Sequence, residues 1–404
     1  MPDGSTAPIV LAFSGGLDTS FCVPYLKETY GVPVVTVTVN TGGFNAEQLA
    51  EVEARALELG AAEHRTIDAR QALWDETLRY LVMGNVLRGQ VYPLCVGPER
   101  VTQARMALDV ARELGAQALA HGSTGAGNDQ VRFDVAVRIL GEGMKVITPI
   151  RELALSRDAT ADYLEQRGFP VNREKAAYSI NRGLWGTTIG GKETHRTDGV
   201  LPNDAYPDTT APEDAPNTPE TLTLRFEQGV PVALNGEALS AIEIVERLAE
   251  IGGRHGVGRG MHVGDTILGI KGRVGFEAAA AAILIPAHRE LEKLVLTRWQ
   301  RYQKDHLGDF YGMLLHEGQY FDPVMRDLEA FFSSSQDVVT GDVAVQLFKG
   351  SARVLGATAP ASMFNTGVAT YGEENTLWDG RDAEGFTTIY GVHALLAHRA
   401  RNAR

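Results

Sequence analysis

Apolar residues first gather in two short runs, Ile9 to Phe13 and Val34 to Val39. Runs this short, ended by small or polar residues, predict strands buried on both faces. Between Ala46 and Leu59 the apolar positions change period. Leu49, Val52, Ala56 and Leu59 fall on one helical stripe. Gln117 to Ala120 and Lys145 to Thr148 predict two more strands, and Ser156 to Gln166 a further helix. Strands alternating with helices predict an α/β domain with a parallel sheet, whose ligands bind at the carboxyl ends of the strands. Pro24 falls inside the first helix and predicts a kink there.

The pattern then changes. Pro202, Pro207, Pro212, Pro216 and Pro219 crowd one stretch and predict an extended connection. Thr221 to Phe226 alternates as a half-buried strand does. Asn235-Gly236 and Lys349-Gly350 predict hairpin turns. Ser240 and Glu243 form a capping box for a helix predicted to stop at Gly252-Gly253. The segment from about Gly385 to Arg401 predicts an amphipathic helix with a basic end. The expected whole is an α/β nucleotide-binding domain at 1–170, an α+β domain at 171–365 and a C-terminal arm at 366–404.

Two glycine-rich turns carry the candidate chemistry. Leu11 to Ser20 reads LAFSGGLDTS: a strand, a tight turn and a helix start. Glycines there let several N–H groups face one concavity, at the positive end of a helix dipole. Ser14, Thr19 and Ser20 add hydroxyls, so the turn predicts a polyphosphate cradle. It is not the Walker loop, because no lysine follows the glycines. S-G-G-x-D-T-S instead resembles the pyrophosphate loop of ATP pyrophosphatases, which split ATP between its α and β phosphates. The second turn, His121 to Phe133, reads HGSTGAGNDQVRF. Asp129 suits an ammonium and Arg132 a carboxylate, the two ends of an amino acid.

Charge and composition narrow the classes. The formal net charge is −13, which argues against a general nucleic-acid binder. Cys22 and Cys95 are the only cysteines. They predict no disulfide framework and no zinc cluster, and a reducing cytoplasm is the default setting. The first residues, MPDGSTAP, do not read as a signal peptide. The apolar stretch Ala278 to Ala287 is too short to span a bilayer. His255 and His262 lack metal-ligand spacing and read as structural or surface residues.

Taken together, these blocks resemble the argininosuccinate synthase family nearly end to end. Besides the two turns, Tyr178-Ser179, Leu184-Trp185-Gly186, GGRHGVGR from Gly252, Val339-Thr340-Gly341 and Leu347-Phe348-Lys349-Gly350 occur in the family's order. The resemblance implies an ATP-pyrophosphatase (adenine nucleotide α-hydrolase-like) domain, a synthetase domain and a C-terminal helix used in a homotetramer. It implies a cytoplasmic ligase of arginine biosynthesis, with no nucleic-acid or membrane partner. ATP, bound with Mg²⁺ through its phosphates, would adenylate the ureido oxygen of citrulline; the aspartate amine would then displace AMP. No protein metal site is implied.

Carried over by position, Ala12, Phe13, Ser14, Gly15, Gly16, Leu17, Asp18, Thr19 and Ser20 would meet ATP, together with Val39 and Gly122. Thr124, Asn128 and Asp129 would hold L-aspartate. Tyr92, Gly97, Asn128, Arg132, Ser179, Thr188, Gly264 and Phe276 stand where the family meets citrulline. Ser14, Asp18 and Asp129 are the candidate catalytic residues. Departures cluster. Gly97 stands for a family Ser, Gly264 for a Glu at the citrulline ammonium, and Phe276 for a Tyr. Asn40-Thr41-Gly42-Gly43 stands for Asp-Ile-Gly-Gln, Asn181-Arg182-Gly183 for Asp-Glu-Asn, and Ala126 for a Lys. The ATP and aspartate groups mostly stay, while the citrulline amino-acid end mostly goes. This favours an aspartate-using ligase with a citrulline-like acceptor that is not citrulline itself. The alternatives are a plain argininosuccinate synthase and an inactive nucleotide-binding regulator. A tRNA-thiolating enzyme would want a cysteine pair, and a glutamine-dependent synthetase a glutaminase domain; neither is present.

Overall fold

The computed structural model describes residues 7–171, 178–368 and 375–403. The N-terminal residues 1–6, part of the stretch weighed above as a signal peptide, lie outside them. Five parallel strands form the first sheet: β1 (Ile9–Ala12), β2 (Val34–Asn40), β3 (Glu63–Asp68), β4 (Ala118–His121) and β5 (Lys145–Ile147). Their order is β3-β2-β1-β4-β5. β2 is buried along its whole length, as an unbroken β-branched run requires. The polar edge strand β3 alternates between half-buried and exposed positions and carries no apolar run to announce it. β2 and β4 flank β1 on opposite sides. The chain therefore changes direction across the sheet at β1, and the two glycine turns leave from the adjacent carboxyl ends of β1 and β4. That switch point is where open parallel sheets leave a crevice. The helix Leu17–Tyr30 continues through the buried Pro24, whose ring lacks the N–H an α-helix would use.

A second sheet is antiparallel: β6 (Ser179–Gly183), β7 (Gly186–Gly190), β11 (Arg259–Asp265) and β12 (Lys271–Glu277), in the order β11-β12-β7-β6. Its strands are rich in glycine and polar residues, so hydrophobic alternation did not reveal it. The third sheet holds β8 (Glu220–Glu227), β9 (Val230–Leu234), β10 (Glu237–Ala238), β13 (Gly341–Phe348) and β14 (Ser351–Thr358), in the order β10-β9-β8-β13-β14. Its two hairpins turn where expected. Asn235 and Gly236 have φ of 53° and 82°, and Lys349 and Gly350 have 41° and 83°, the left-handed pair a type I′ turn needs. The inward faces of β8 and β13 share the largest core with the helices Ala241–Arg254 and Ala279–Val295. The capping box is present, with Ser240 and Glu243 bonding reciprocally.

Two expectations need correction. The helix after Ser240 does not stop at Gly252-Gly253 but runs to Arg254. A Cβ on Gly252 would stand 2.9 Å from Ala279 and Ile283 atoms, so this glycine serves close helix packing. The C-terminal segment is two helices, Gly380–Tyr390 and Val392–Asn402, meeting at Gly391. By contacts, residues 1–359 form one compact unit and 360–404 a second. The sheets of the two expected N-terminal domains thus share one body. No helix among the described residues is long and apolar enough to cross a membrane.

One polar network lies within the main core. Lys304 is fully buried. Its ammonium sits 3.0 Å from a Glu292 oxygen and donates to the Met83 carbonyl at 2.8 Å. Asn85 and Gln336 also donate to Glu292, at 2.7 and 2.9 Å. Removing the cation leaves a buried carboxylate under-compensated. Lys304→Met should therefore cost about 3 kcal/mol, read as a clear fall in the thermal midpoint. An unchanged midpoint would show that the pair is energetically neutral.

Candidate functional site

The first turn builds one wall of a cleft of about 550 Å³ at the switch point. Gly15 takes φ 73°, which redirects the chain after β1. Gly16 caps the helix with no side-chain hydrogen bond, so the first-turn N–H groups stay available. Ser14 Oγ lies 3.2 Å from Thr19 Oγ1, and Thr19 Oγ1 donates to the Gly16 carbonyl at 3.2 Å. These bonds hold the turn as a concavity edged by hydroxyls. Asp18 faces the cleft, where burial raises its carboxyl above the ordinary range and Arg157 opposes the shift. From the other side Gly122 approaches closely: a Cβ there would meet Thr19 at 3.0 Å. His121 is fixed by Asp134 at 2.9 Å.

Asp129 stands between this cleft and a second one of about 260 Å³. Its two oxygens accept from Arg100 Nε at 2.9 Å and Arg132 NH1 at 2.8 Å. Burial pushes the carboxyl up, but the two guanidiniums reverse this and hold it at about 2. Arg100 also donates to Asn181 on β6 at 3.0 Å. Arg132 donates through Nε to the His316 carbonyl at 2.9 Å.

The second cleft is floored by paired glycines of β11 and β12, Gly264 and Gly272. Tyr92, Gly97, Asn128, Arg132 and Thr188 line it, together with Arg88, His262 and His316. Asn128 Oδ1 accepts from Ile267 N at 2.9 Å and so pins the turn between β11 and β12. A Cβ on Gly97 would stand 3.5 Å from Arg132 NH2, so the missing side chain opens the approach to that guanidinium. His262 stacks on Tyr92 with ring centroids 5.3 Å apart.

The structure gathers Ala12, Phe13, Ser14, Gly16, Leu17, Asp18, Thr19, Val39, Gly122, Thr124 and Asp129 around the first cleft. Gly15 and Ser20 shape the turn from behind it. Two acceptor candidates fall elsewhere. Ser179 lies on the first cleft. Phe276 is buried behind Tyr92, with centroids 5.3 Å apart. His262, read from the sequence as structural or surface, lines the second cleft and needs correction; His255 is buried against Glu220 at 3.1 Å. Arg88, Arg100, Arg157 and His316 were missed. Each sits away from the glycine motifs, and nothing local in the sequence sets it apart. Among the described residues no group of three His, Cys, Asp or Glu side chains is arranged for a metal.

The departures at 40–43 and 181–183 prove to be neighbours. A Cβ on Gly43 would stand 2.3 Å from the Arg182 carbonyl oxygen, and one on Gly42 2.8 Å from the Leu184 Cβ. Leu184 N donates to the Thr41 carbonyl at 2.8 Å.

Comparison with known proteins places the chain among relatives. Residues 8–170 match the model for the arginosuccinate synthase N-terminal HUP domain, and residues 178–397 that for the arginosuccinate synthase C-terminal domain. The chain is 39% identical over 387 residues to the argininosuccinate synthase of Methanocaldococcus jannaschii, covering 96% of this chain and 97% of that one. It is 42% identical over 398 residues to that of Xanthomonas campestris, covering 97% and 98%. A distant likeness, at 15% identity and TM-score 0.29, joins 41% of this chain to 66% of an NH3-dependent NAD synthetase from Campylobacter jejuni.

Gly183 gives a sharp packing test. A Cβ there would stand 1.4 Å from Glu99 Oε1, and Glu99 is fully buried. Gly183→Ala should cost about 1–3 kcal/mol by overpacking, measured as a lower unfolding midpoint. Gly356→Ala, where nothing lies within 4 Å, is the matched control and should change little.

Proposed function

We propose, from the premise that the chain belongs to the argininosuccinate synthase family, how its two clefts divide the family's reaction. The protein is an ATP-dependent, AMP-forming carbon–nitrogen ligase of the argininosuccinate synthase type. ATP occupies the cleft at the switch point, with its phosphates against the Ser14 to Thr19 turn. L-aspartate lies by Thr124, Asn128 and Asp129. The acceptor, a citrulline-like ureido or carbonyl compound, fills the second cleft. The observation that carries this division is the position of Asp129, whose carboxylate borders both clefts.

The chemistry follows from that adjacency. The acceptor oxygen attacks the α-phosphorus, the bond to the bridging oxygen breaks, and pyrophosphate leaves. The aspartate amine then attacks the activated carbon; AMP leaves with the acceptor oxygen and the amine loses a proton. Preorganised amides at the helix start stabilise charge on the departing pyrophosphate. Holding three substrates across two adjoining clefts supplies proximity. Asp129 stays ionised well below neutral pH, and each oxygen that accepts from one arginine keeps capacity to accept from an ammonium. Mg²⁺ neutralises phosphate charge when bound. One carboxylate, Asp18, beside the hydroxyls of Ser14 and Thr19, fits a cation carried mainly by the nucleotide.

The C-terminal unit exposes Phe386, Ile389, Tyr390, Leu395 and Leu396 along its two helices. That apolar surface supports a role as an oligomerisation arm, in the homotetramer the family resemblance implies. A cytoplasmic setting fits a chain whose two cysteines are both free.

The products should be AMP and pyrophosphate in equal amounts, formed only with both aspartate and an acceptor. ADP with orthophosphate would contradict the assignment. Asp129→Ala should raise the aspartate KM at least about tenfold more than the ATP KM, since one charge-assisted contact contributes about 1.5–3 kcal/mol. Ser14→Ala should lower kcat/KM for ATP by about tenfold, in steady-state pyrophosphate release. Equal shifts in both KM values for Asp129→Ala would count against its place beside aspartate.

A further inference from the structure

The second cleft has an electrostatic character that a zwitterionic acceptor does not match. Its walls carry Arg88, Arg132 and Arg273, and two carboxylates, Asp129 and Asp265. Both carboxylates are engaged. Asp129 is shared by Arg100 and Arg132 at 2.9 and 2.8 Å. Asp265 pairs with Lys271 at 2.6 Å. Glu277, the next acid along β12, is buried and accepts from Thr209 Oγ1 at 2.5 Å; it does not line the cleft. With the remaining capacity of Asp129 assigned above to the aspartate amine, no lining carboxylate is left over for an ammonium on the acceptor.

The cations are in the opposite condition. Arg88 NH2 donates to the Asp265 backbone carbonyl at 2.7 Å. Arg273 NH1 donates to the carbonyls of Glu193 and Arg196 at 3.1 and 2.6 Å. Neither has a carboxylate within ion-pair distance among the described residues. The space over Gly264 is already filled by cationic and imidazole nitrogens. A Cβ there would stand 2.5 Å from His262 Nε2 and 3.0 Å from Arg88 NH1. His316 points the same way. Its Nδ1 lies 3.2 Å from Arg132 NH2; a guanidinium can only donate, so Nδ1 accepts and the proton sits on Nε2. That Nε2 is buried and makes no hydrogen bond, although the Asp265 carbonyl lies near enough to act on the ring.

The titratable groups report the same field. Burial, then Arg132 and Arg88, hold His316 at about 3. Burial, then Arg88, lowers His262. Arg88 itself is lowered by burial and then by Arg132. His262 and His316 sit in positive potential, while Asp265 and Glu317 offset only part of the lowering of Arg88.

We infer that the second cleft selects an acceptor whose remote end is a carboxylate with no ammonium beside it, and that Arg88 is the residue that makes this choice. The ligand class is an ω-ureido carboxylic acid without an α-amine. Resting on the ligase assignment above, this names the acceptor it left open. A carboxylate at Gly264 would gain Arg88 as a charge-assisted partner. An α-ammonium placed there would face an arginine and an uncompensated donor set, which excludes it by repulsion. The glycine at 264 leaves room for the His262 and Arg88 nitrogens that would meet the anion.

The test uses the full-length protein with ATP, Mg²⁺ and aspartate, and compares 5-ureidopentanoate with L-citrulline, which differ only by the α-amine. The ureido acid should give a kcat/KM for pyrophosphate release at least about tenfold higher. Arg88→Met keeps the stem and removes the charge. It should lower kcat/KM for the ureido acid by about tenfold to a hundredfold, leave citrulline use unchanged or improved, and leave the ATP KM unchanged. A citrulline preference, or an equal loss for both acceptors in Arg88→Met, overturns the inference while the ligase assignment stands. Calorimetric binding of the two acids in the presence of a non-hydrolysable ATP analogue separates the two claims. Selective binding of the ureido acid without pyrophosphate release keeps the inference and sinks the ligase assignment. Binding of neither acid overturns the inference.

Discussion

The carboxylate of Asp129 is the constraint on which the two clefts depend. It begins the helix that follows the second glycine turn, and two arginines hold it. Arg100 comes from the helix Gly97–Glu113 and reaches on to Asn181 in β6. Arg132 reaches on to the end of the helix Arg298–His316. One anion therefore ties the parallel-sheet layer to the second sheet and to the long helix Arg298–His316. Breaking it would leave two buried or half-buried cations beside each other, a far larger penalty than losing one surface pair. In the proposed reaction, adenylation and amine attack both need atoms from the two clefts within bonding reach, and this anchor fixes the separation of the clefts.

The two clefts differ in how they treat charge. In the first, the donors are backbone N–H groups at a helix start and hydroxyls, with Arg157 near Asp18. Backbone donors cost no side-chain entropy and suit a phosphate chain whose charge shifts during reaction. In the second, charge comes from side chains, and side chains can be exchanged without rebuilding a turn. An enzyme built this way can keep its activation chemistry while altering its acceptor.

Much of this was legible in the sequence, for identifiable reasons. The buried strands β1 and β2 and both hairpin turns follow from β-branched runs and Asn-Gly or Lys-Gly pairs, which are local signals. The glycine turns follow from a motif whose residues are all contiguous. The β6–β7 and β11–β12 sheet was not legible, because strands such as SINRG and RGMHVGD carry no alternation. The two hairpins become one sheet only through the pairing of β12 with β7, far apart along the chain. The same holds for Arg88 and His316, whose importance comes only from what the fold brings opposite them. Phe276 was legible as a departure but not as a residue screened by Tyr92.

The departures at 40–43 and 181–183 lie far apart in sequence yet form one physical change. Gly42 and Gly43 press against the backbone of Arg182 and the side chain of Leu184. Gly183 in turn leaves room for Glu99, a fully buried acid that accepts from Thr41 Oγ1 at 3.0 Å. Burial pushes the Glu99 carboxyl up to about 8, against the pull of Arg100 and Thr41. The loop beside the first cleft, the strand facing it and the buried acid beneath them are therefore packed as one unit. A side chain restored at 43 or 183 alone would collide before it could contribute any contact of its own.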